Sequence, residues 1–332
     1  MKIEKARAIL VLGMHRSGTS AMTGVLHALG VPLGSTLTPA DPDINAKGYW
    51  EHSVISSINE RILRAMGFSW LDERELPSGW WKNPVIASLR AELVEAIERE
   101  FGSHRLWAVK DPRLCRLLPL WLEILEEIDC DPIFVLTTRD PREVVRSLRK
   151  RNGMQAWKGA LLWLRYVIDA ETCSRGLRRV VIDYDELLRE WRERLPLLSQ
   201  QLAVDWPVRF VDAERTLAEF LDGSLRHEIN SPEDAEQGIE LALAEKAYRA
   251  LRRDISHFVG MQPDLSLHVR EAVSGHQPGL AHVNECMLRI EELAGLRSVV
   301  AAYEQEVERI KKTVSWKITR PMRLLANMFS KG

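Results

Sequence analysis

The chain has 332 residues, 45% of them hydrophobic and 28% charged, with a formal net charge of −1. This is the composition of a globular α/β domain with an appendage. It excludes a disordered chain and offers no global basic field to attract nucleic acid. The four cysteines, Cys115, Cys130, Cys173 and Cys286, form no CxxC pair, which excludes a disulfide frame or zinc site and reads as the reduced thiols of a cytoplasmic protein.

In chain order, the apolar run Ala8–Leu12 predicts a buried strand that stops at Gly13. A compact loop follows, Met14-His15-Arg16-Ser17-Gly18-Thr19-Ser20, then a helix over about 19–30 with Met22, Val25, Leu26 and Leu29 on one face. Strand, small-residue loop and helix start make a phosphate cradle, because free backbone N–H groups and the positive helix end converge on an anion. Residues 34–48 are polar and Pro-rich, and a helix is expected over 53–66. The stretch 69–84 mixes turn residues with Trp70, Trp80 and Trp81, and a helix follows over 84–101. A short strand at 106–109 ends in Lys110-Asp111-Pro112-Arg113, followed by a helix over 115–126. A third strand, 132–138, ends in Arg139-Asp140-Pro141 and leads into helices over 141–151 and 156–174. A fourth, 179–184, precedes another helix.

Short all-apolar strands alternating with helices predict a parallel sheet covered on both faces, with ligands at the carboxyl ends of the strands. The expected fold is α/β: a P-loop-like three-layer parallel sheet flanked by helices, with a C-terminal helical and coiled-coil extension. The expected divisions are an α/β domain at 1–232, a helical extension and linker at 233–280, and a coiled coil with a basic tail at 281–332. In 283–315, Leu293, Leu296, Val300, Tyr303, Val307, Ile310 and Val314 alternate three and four apart, a heptad seam that predicts a homo-oligomer. From Arg309 onward there are seven Lys/Arg and no Asp or Glu, interleaved with apolar residues; such a stretch, 309–332, suits an anionic membrane surface. No apolar run is long enough to span a bilayer, and the N-terminal one is too short for a secretory signal.

Two motifs carry chemistry. In the first loop the Gly13-to-Gly18 spacing fits a Walker A loop, but Thr19 stands where its lysine belongs and the cation, Arg16, lies inside the loop. In the second, Arg139 ends a strand and Ser147 follows eight residues later in the next helix; a guanidinium fork and a hydroxyl at this spacing can close on one phosphate.

Together these motifs resemble the two donor-binding elements of the sulfotransferase family, over about residues 7–230. Lys110-Asp111-Pro112-Arg113 resembles the KDPR element of bacterial and carbohydrate sulfotransferases, and Tyr184 resembles the tyrosine that contacts the donor adenine. The resemblance implies a sulfuryl donor, 3′-phosphoadenosine 5′-phosphosulfate (PAPS), and no metal. It places the 5′-phosphosulfate on His15, Arg16, Ser17, Gly18, Thr19 and Ser20, and the 3′-phosphate on Arg139 and Ser147. Arg16 becomes the catalytic cation; it cannot give up a proton and so acts as an electrostatic clamp. The acceptor base is expected at Glu51, in a segment resembling the family's NPxGYWE stretch, with His52 as the alternate and His15 behind both. Lys110 would touch the sulfate or the acceptor, and Asp111 would orient Lys110 or Arg113. The stretch 315–323 resembles a tail of bacterial glycosyltransferases that build surface polysaccharides, which implies a glycan acceptor and a cytoplasmic protein peripheral to the inner membrane. Two other readings stay open: a P-loop nucleotide kinase or NTPase, against which Thr19 replaces the Walker lysine and a magnesium acid is arguable only at Asp183, and a non-catalytic scaffold in a glycan-assembly complex. Magnesium dependence separates the kinase from the sulfotransferase.

Overall fold

A computed structural model of the chain describes residues 5–41, 47–222, 238–253 and 259–275. The chain divides into two units, Met1–Ser274 and Gly275–Gly332. The expected coiled coil and basic tail lie outside the described residues. Four strands, β1 (Ala6–Leu12), β2 (Leu106–Lys110), β3 (Cys130–Thr138) and β4 (Arg179–Asp183), form one parallel sheet in the order β2-β1-β3-β4. In β1, Ala8 to Leu12 are wholly buried, as the apolar run requires of a central strand covered on both faces.

Helices α1 (Thr19–Ala28), α2 (Ser53–Ala65) and α3 (Ala87–Phe101) lie between β1 and β2, and α4 (Leu114–Glu127) between β2 and β3. Helices α5 (Pro141–Asn152) and α6 (Ala156–Ser174) follow β3; α7 (Tyr184–Leu202), α8 (Phe210–Phe220) and α9 (Ile239–Arg253) follow β4. On one face α1, α7 and α8 close a core around Ile9, Val11, Met22, Val25, Trp191 and Leu198. On the other, α4 and α6 pack on the sheet and on each other, and α9 packs against α5 and α6. The expected helix start at 84 moves to 87, because Asn83 caps a 3-10 turn at Pro84–Ile86 first.

Chain direction explains where a ligand would sit. From β1 the chain moves to β2 on one side, then crosses to β3 on the other, so the carboxyl end of β1 is the switch point of the sheet. Parallel register pairs Val11 with both Lys110 and Val135, and Thr138 with Asp183. The ends of all four strands thus meet along one edge, and the chemistry-bearing residues follow directly after them.

Candidate functional site

The loop after β1 is shaped by two glycines that admit no side chain. Gly13 has φ +148°, and a Cβ there would lie 2.4 Å from Thr137 Oγ1 and 2.6 Å from the Thr137 carbonyl oxygen. Its N–H donates to Cys115 Sγ at 3.1 Å, while Thr137 Oγ1 donates to the Leu12 carbonyl at 2.9 Å. Burial pushes the Cys115 thiol up to about 12, so it serves here as a neutral acceptor. Gly18 has φ +89°, and a Cβ there would meet Tyr184 Cδ2 at 2.5 Å. Between them the Ser17 N–H closes a turn on the Met14 carbonyl, and Arg16 takes a left-handed φ of 70°. Helix α1 starts at Thr19 without a side-chain cap from Gly18. Among the described residues the buried Ser17 Oγ and His15 Nε2 have no hydrogen-bond partner. An uncapped helix start beside an orphaned hydroxyl fits an oxyanion ligand.

The second motif meets the first. Arg16 Nε donates to Ser147 Oγ at 2.7 Å, and Arg139 Nη1 reaches the Arg16 carbonyl at 3.4 Å. Arg139 itself is buried against Glu143, with Nε and Nη2 at 2.9 and 2.7 Å from Oε2, and its guanidinium lies 4.9 Å over the Tyr184 ring. Helix α5 supplies this geometry by local rules. Asp140 caps it by accepting the Arg142 N–H at 2.9 Å, Pro141 occupies the first turn, and left-handed Gly153 ends it.

A third group assembles over the cradle. Lys110, at the buried end of β2, places Nζ 2.6 Å from Glu51 Oε1 and 3.3 Å from Ser20 Oγ. Ser20 Oγ in turn donates to the Tyr49 carbonyl at 3.2 Å. Backbone bonds Thr38 N–H to Glu51 O and Ser53 N–H to Thr36 O clamp the Glu51 segment from behind. Trp50, at φ 57°, stacks near His27 of α1, 4.8 Å between ring centres. Glu51, Lys110 and Ser20 therefore converge from three separate elements.

His52 does not join them. Its Nδ1 accepts the Ile55 N–H as the cap of α2, its Nε2 lies 3.2 Å from Glu100 Oε2, and the side chain is 1% exposed. Two hydrogen bonds from Ser35 hold that Glu100 carboxyl at about 2. Asp111 settles on Arg113, accepting from its backbone N–H at 3.0 Å and from Nη1 at 2.9 Å, and its other oxygen accepts from Asn59 Nδ2. Asp183 is the cap of α7, accepting from Asp185 and Glu186 N–H groups, with Tyr248 Oη donating at 2.7 Å. Tyr184 opens α7 and is buried between Gly18 and Arg139; burial raises its hydroxyl above the usual value, against the pull of Arg139 and Arg16. Thr19 is buried, and its carbonyl accepts from Thr23 Oγ1.

His15 is wedged 4.6 Å from Trp70 and 6.1 Å from Tyr166, ring centre to ring centre. Burial, followed by the charges of Arg151, Arg113, Lys110 and Arg16, drives its basicity well below the usual imidazole value, so it is neutral at pH 7. Trp70 is fixed from behind by Tyr166 Oη, which donates to its carbonyl at 2.8 Å. Among the described residues no group of three His, Cys, Asp or Glu side chains is arranged to hold a metal ion.

Sequence reasoning missed Glu143, Thr137, Cys115 and Tyr248. Glu143 had a local signal, standing four residues after Arg139 where ions of opposite charge meet. The others act from 65 to 125 residues away, which no local pattern reports.

A family model described as the sulfotransferase family matches residues 8–208. No protein with a curated description matches the chain. Among solved structures, the sulfotransferase domain of the Synechococcus PCC 7002 olefin synthase shares 17% identity, covering 80% of this chain and 97% of its own, with a TM-score of 0.41. The sulfotransferase domain from the curacin biosynthetic pathway shares 16%, covering 74% and 98%, at 0.40. Sulfotransferase STF9 from Mycobacterium avium shares 13%, covering 76% and 78%, at 0.44.

Proposed function

The chain belongs to the sulfotransferase family, and on that premise we propose that it moves a sulfuryl group from PAPS to a hydroxyl or amine of a glycan. The observation that carries this reading is the 2.7 Å bond from Arg16 to Ser147, which brings the loop cation and the second anion-binding motif to one place. Donor phosphates would rest on the backbone N–H groups at the start of α1, on Ser17 Oγ, and on Arg139 and Ser147. Tyr184 would back the adenine end of that site. Arg16 would neutralise the oxygen that bridges phosphorus and sulfur as that bond breaks.

Glu51 would accept the proton of the acceptor group while its oxygen or nitrogen bonds to sulfur, and Lys110 would orient Glu51 and face the transferred oxygens. The arrangement works by in-line positioning and charge stabilisation, as in phosphoryl transfer. The glycan acceptor rests on the resemblance of 315–323 to glycosyltransferase tails.

The test is calorimetric titration with 3′-phosphoadenosine 5′-phosphate, with and without Mg²⁺ and with ATP as control. We expect metal-independent micromolar binding that is lost in Arg139→Ala and weakened in the milder Ser147→Ala. Preference for Mg²⁺-ATP would overturn the reading in favour of a kinase, and no binding of either would favour a scaffold.

A further inference from the structure

A cavity of about 420 Å³ lies outside the phosphate cradle, between the segment after Trp70, helices α4 and α6, and the helical segment 259–275. No residue of the cradle lines it. Its volume lies within the range of small-ligand sites. One wall is aromatic: Trp80 and Trp81 stand edge to face, 6.1 Å between ring centres, and Trp81 is anchored through Nε1 on Glu123 at 2.8 Å. The rest of the lining mixes apolar side chains such as Pro119 and Ile168 with charged ones, and every guanidinium in it already holds a carboxylate. Arg116 pairs with Asp169 at 2.7 Å and Arg165 with Glu75 and Asp169 at 3.2 Å. Arg270 grips Glu75 with two bonds, and Arg175 pairs with Glu171 at 2.6 Å. Gln262, bonded to Arg175 and to Thr172, belongs to the same lining. Burial works against the Glu75 carboxylate, but Arg270 and Arg165 outweigh it and hold it below its usual range.

This chemistry selects a ligand class. An anion gains little where each cation is already neutralised. A purely apolar ligand would strip water from the ion pairs and Gln262 and return no hydrogen bonds. A sugar ring answers both parts of the lining: its C–H face packs on an indole, and its hydroxyls donate and accept among donors and acceptors held fixed by ion pairs. We propose that this cavity is a second glycan-binding site, an exosite for uncharged sugar residues. The segment from Trp70, which touches His15, to Glu75, which lines the cavity, spans at most about 20 Å even when fully extended. That bounds the straight-line separation of the two places. The inference takes its place in the reaction from the glycan reading above, whereas its binding stands apart from the donor.

The experiment titrates the full chain with maltohexaose, cellohexaose, laminarihexaose and chitohexaose, following tryptophan fluorescence and heat, with hexagalacturonate as an acidic comparison. At least one neutral hexasaccharide is expected to bind. Trp81→Ala should weaken it by about tenfold, Trp81→Phe should retain it, and Gln262→Ala should weaken it too. Affinity for 3′-phosphoadenosine 5′-phosphate should stay the same in all three variants, which shows that they are folded. The proposal is overturned if no neutral hexasaccharide binds at millimolar concentration, if hexagalacturonate binds more tightly, or if Trp81→Ala binds like the parent chain. Sugar binding without bisphosphate binding would sink the donor reading and leave the exosite standing.

Discussion

Glu51 and Lys110 meet at 2.6 Å although 59 residues separate them, and this pair makes Glu51 the residue to test first. Glu51→Gln keeps the shape and can still accept a hydrogen bond from Lys110, but it cannot take a proton. Sulfuryl transfer should fall by about 10²–10⁴-fold with bisphosphate affinity essentially unchanged, measured by single-turnover kinetics beside calorimetry. Parental turnover in that variant would remove Glu51 from the reaction. His15 gives a second prediction. Its native basicity is depressed well below 6.5, so as pH falls below that value the unfolded chain takes up a proton that the folded chain refuses. Its contribution is complete above pH 6.5 and is lost toward the depressed native value. The slope is at most ~1.4 kcal/mol per pH unit. His15→Asn should flatten this acid limb in denaturant titrations run between pH 4 and 7, and an unchanged limb would contradict the assigned neutrality.

At the scale of elements, the loop between β1 and α1 is pinned by backbone contacts that leave no room for a methyl group. Gly13→Ala would set a Cβ 2.6 Å from the Thr137 carbonyl at φ +148°. Loss of about 2 kcal/mol or more is expected in urea unfolding, with bisphosphate binding lost as the loop shifts. Helix α9 lies beyond the 8–208 family match, yet its side chains bond to α5 and α7. Tyr248 bonds the α7 cap Asp183, Arg252 bonds Glu186 at 2.8 Å, and Glu245 pairs with Arg142 of α5. Tyr248→Phe removes one buried hydrogen bond and leaves Asp183 short of a donor. A cost of ~1–3 kcal/mol is expected by thermal unfolding, accompanied by weaker bisphosphate binding. Unchanged affinity would confine α9 to stability alone.

For the whole molecule, the unit Met1–Ser274 contains every candidate site residue. A chain ending at Ser274 is expected to bind 3′-phosphoadenosine 5′-phosphate like the full chain. It should also lose self-association and sedimentation with anionic vesicles, the roles expected of 283–315 and 309–332. Ultracentrifugation and vesicle pelleting check both, and retention of either by the shortened chain would refute the corresponding assignment. Among the described residues no helix is long and apolar enough to cross a membrane.

The sequence by itself determined the α/β fold, four strands with their flanking helices, and the cradle at the end of β1. These follow from hydrophobic periods, turn residues and caps that act within a few positions, and so leave their mark locally. It also named Arg16, Arg139, Ser147 and Glu51, because each stands at a fixed offset from a strand end or a motif. Only the tertiary structure sets apart candidates that are neighbours in sequence. Glu51 turns to Lys110 while the adjacent His52 turns inward to cap α2 and meet Glu100. It alone made Asp183 a cap held by Tyr248, and gathered Trp80 and Trp81 with Gln262 around one cavity. The physical reason is separation: Arg16 and Ser147 lie 131 residues apart, and Asp183 and Tyr248 lie 65 apart. Contacts of that kind depend on how whole elements pack, and no local period encodes which side chains the packing will bring together.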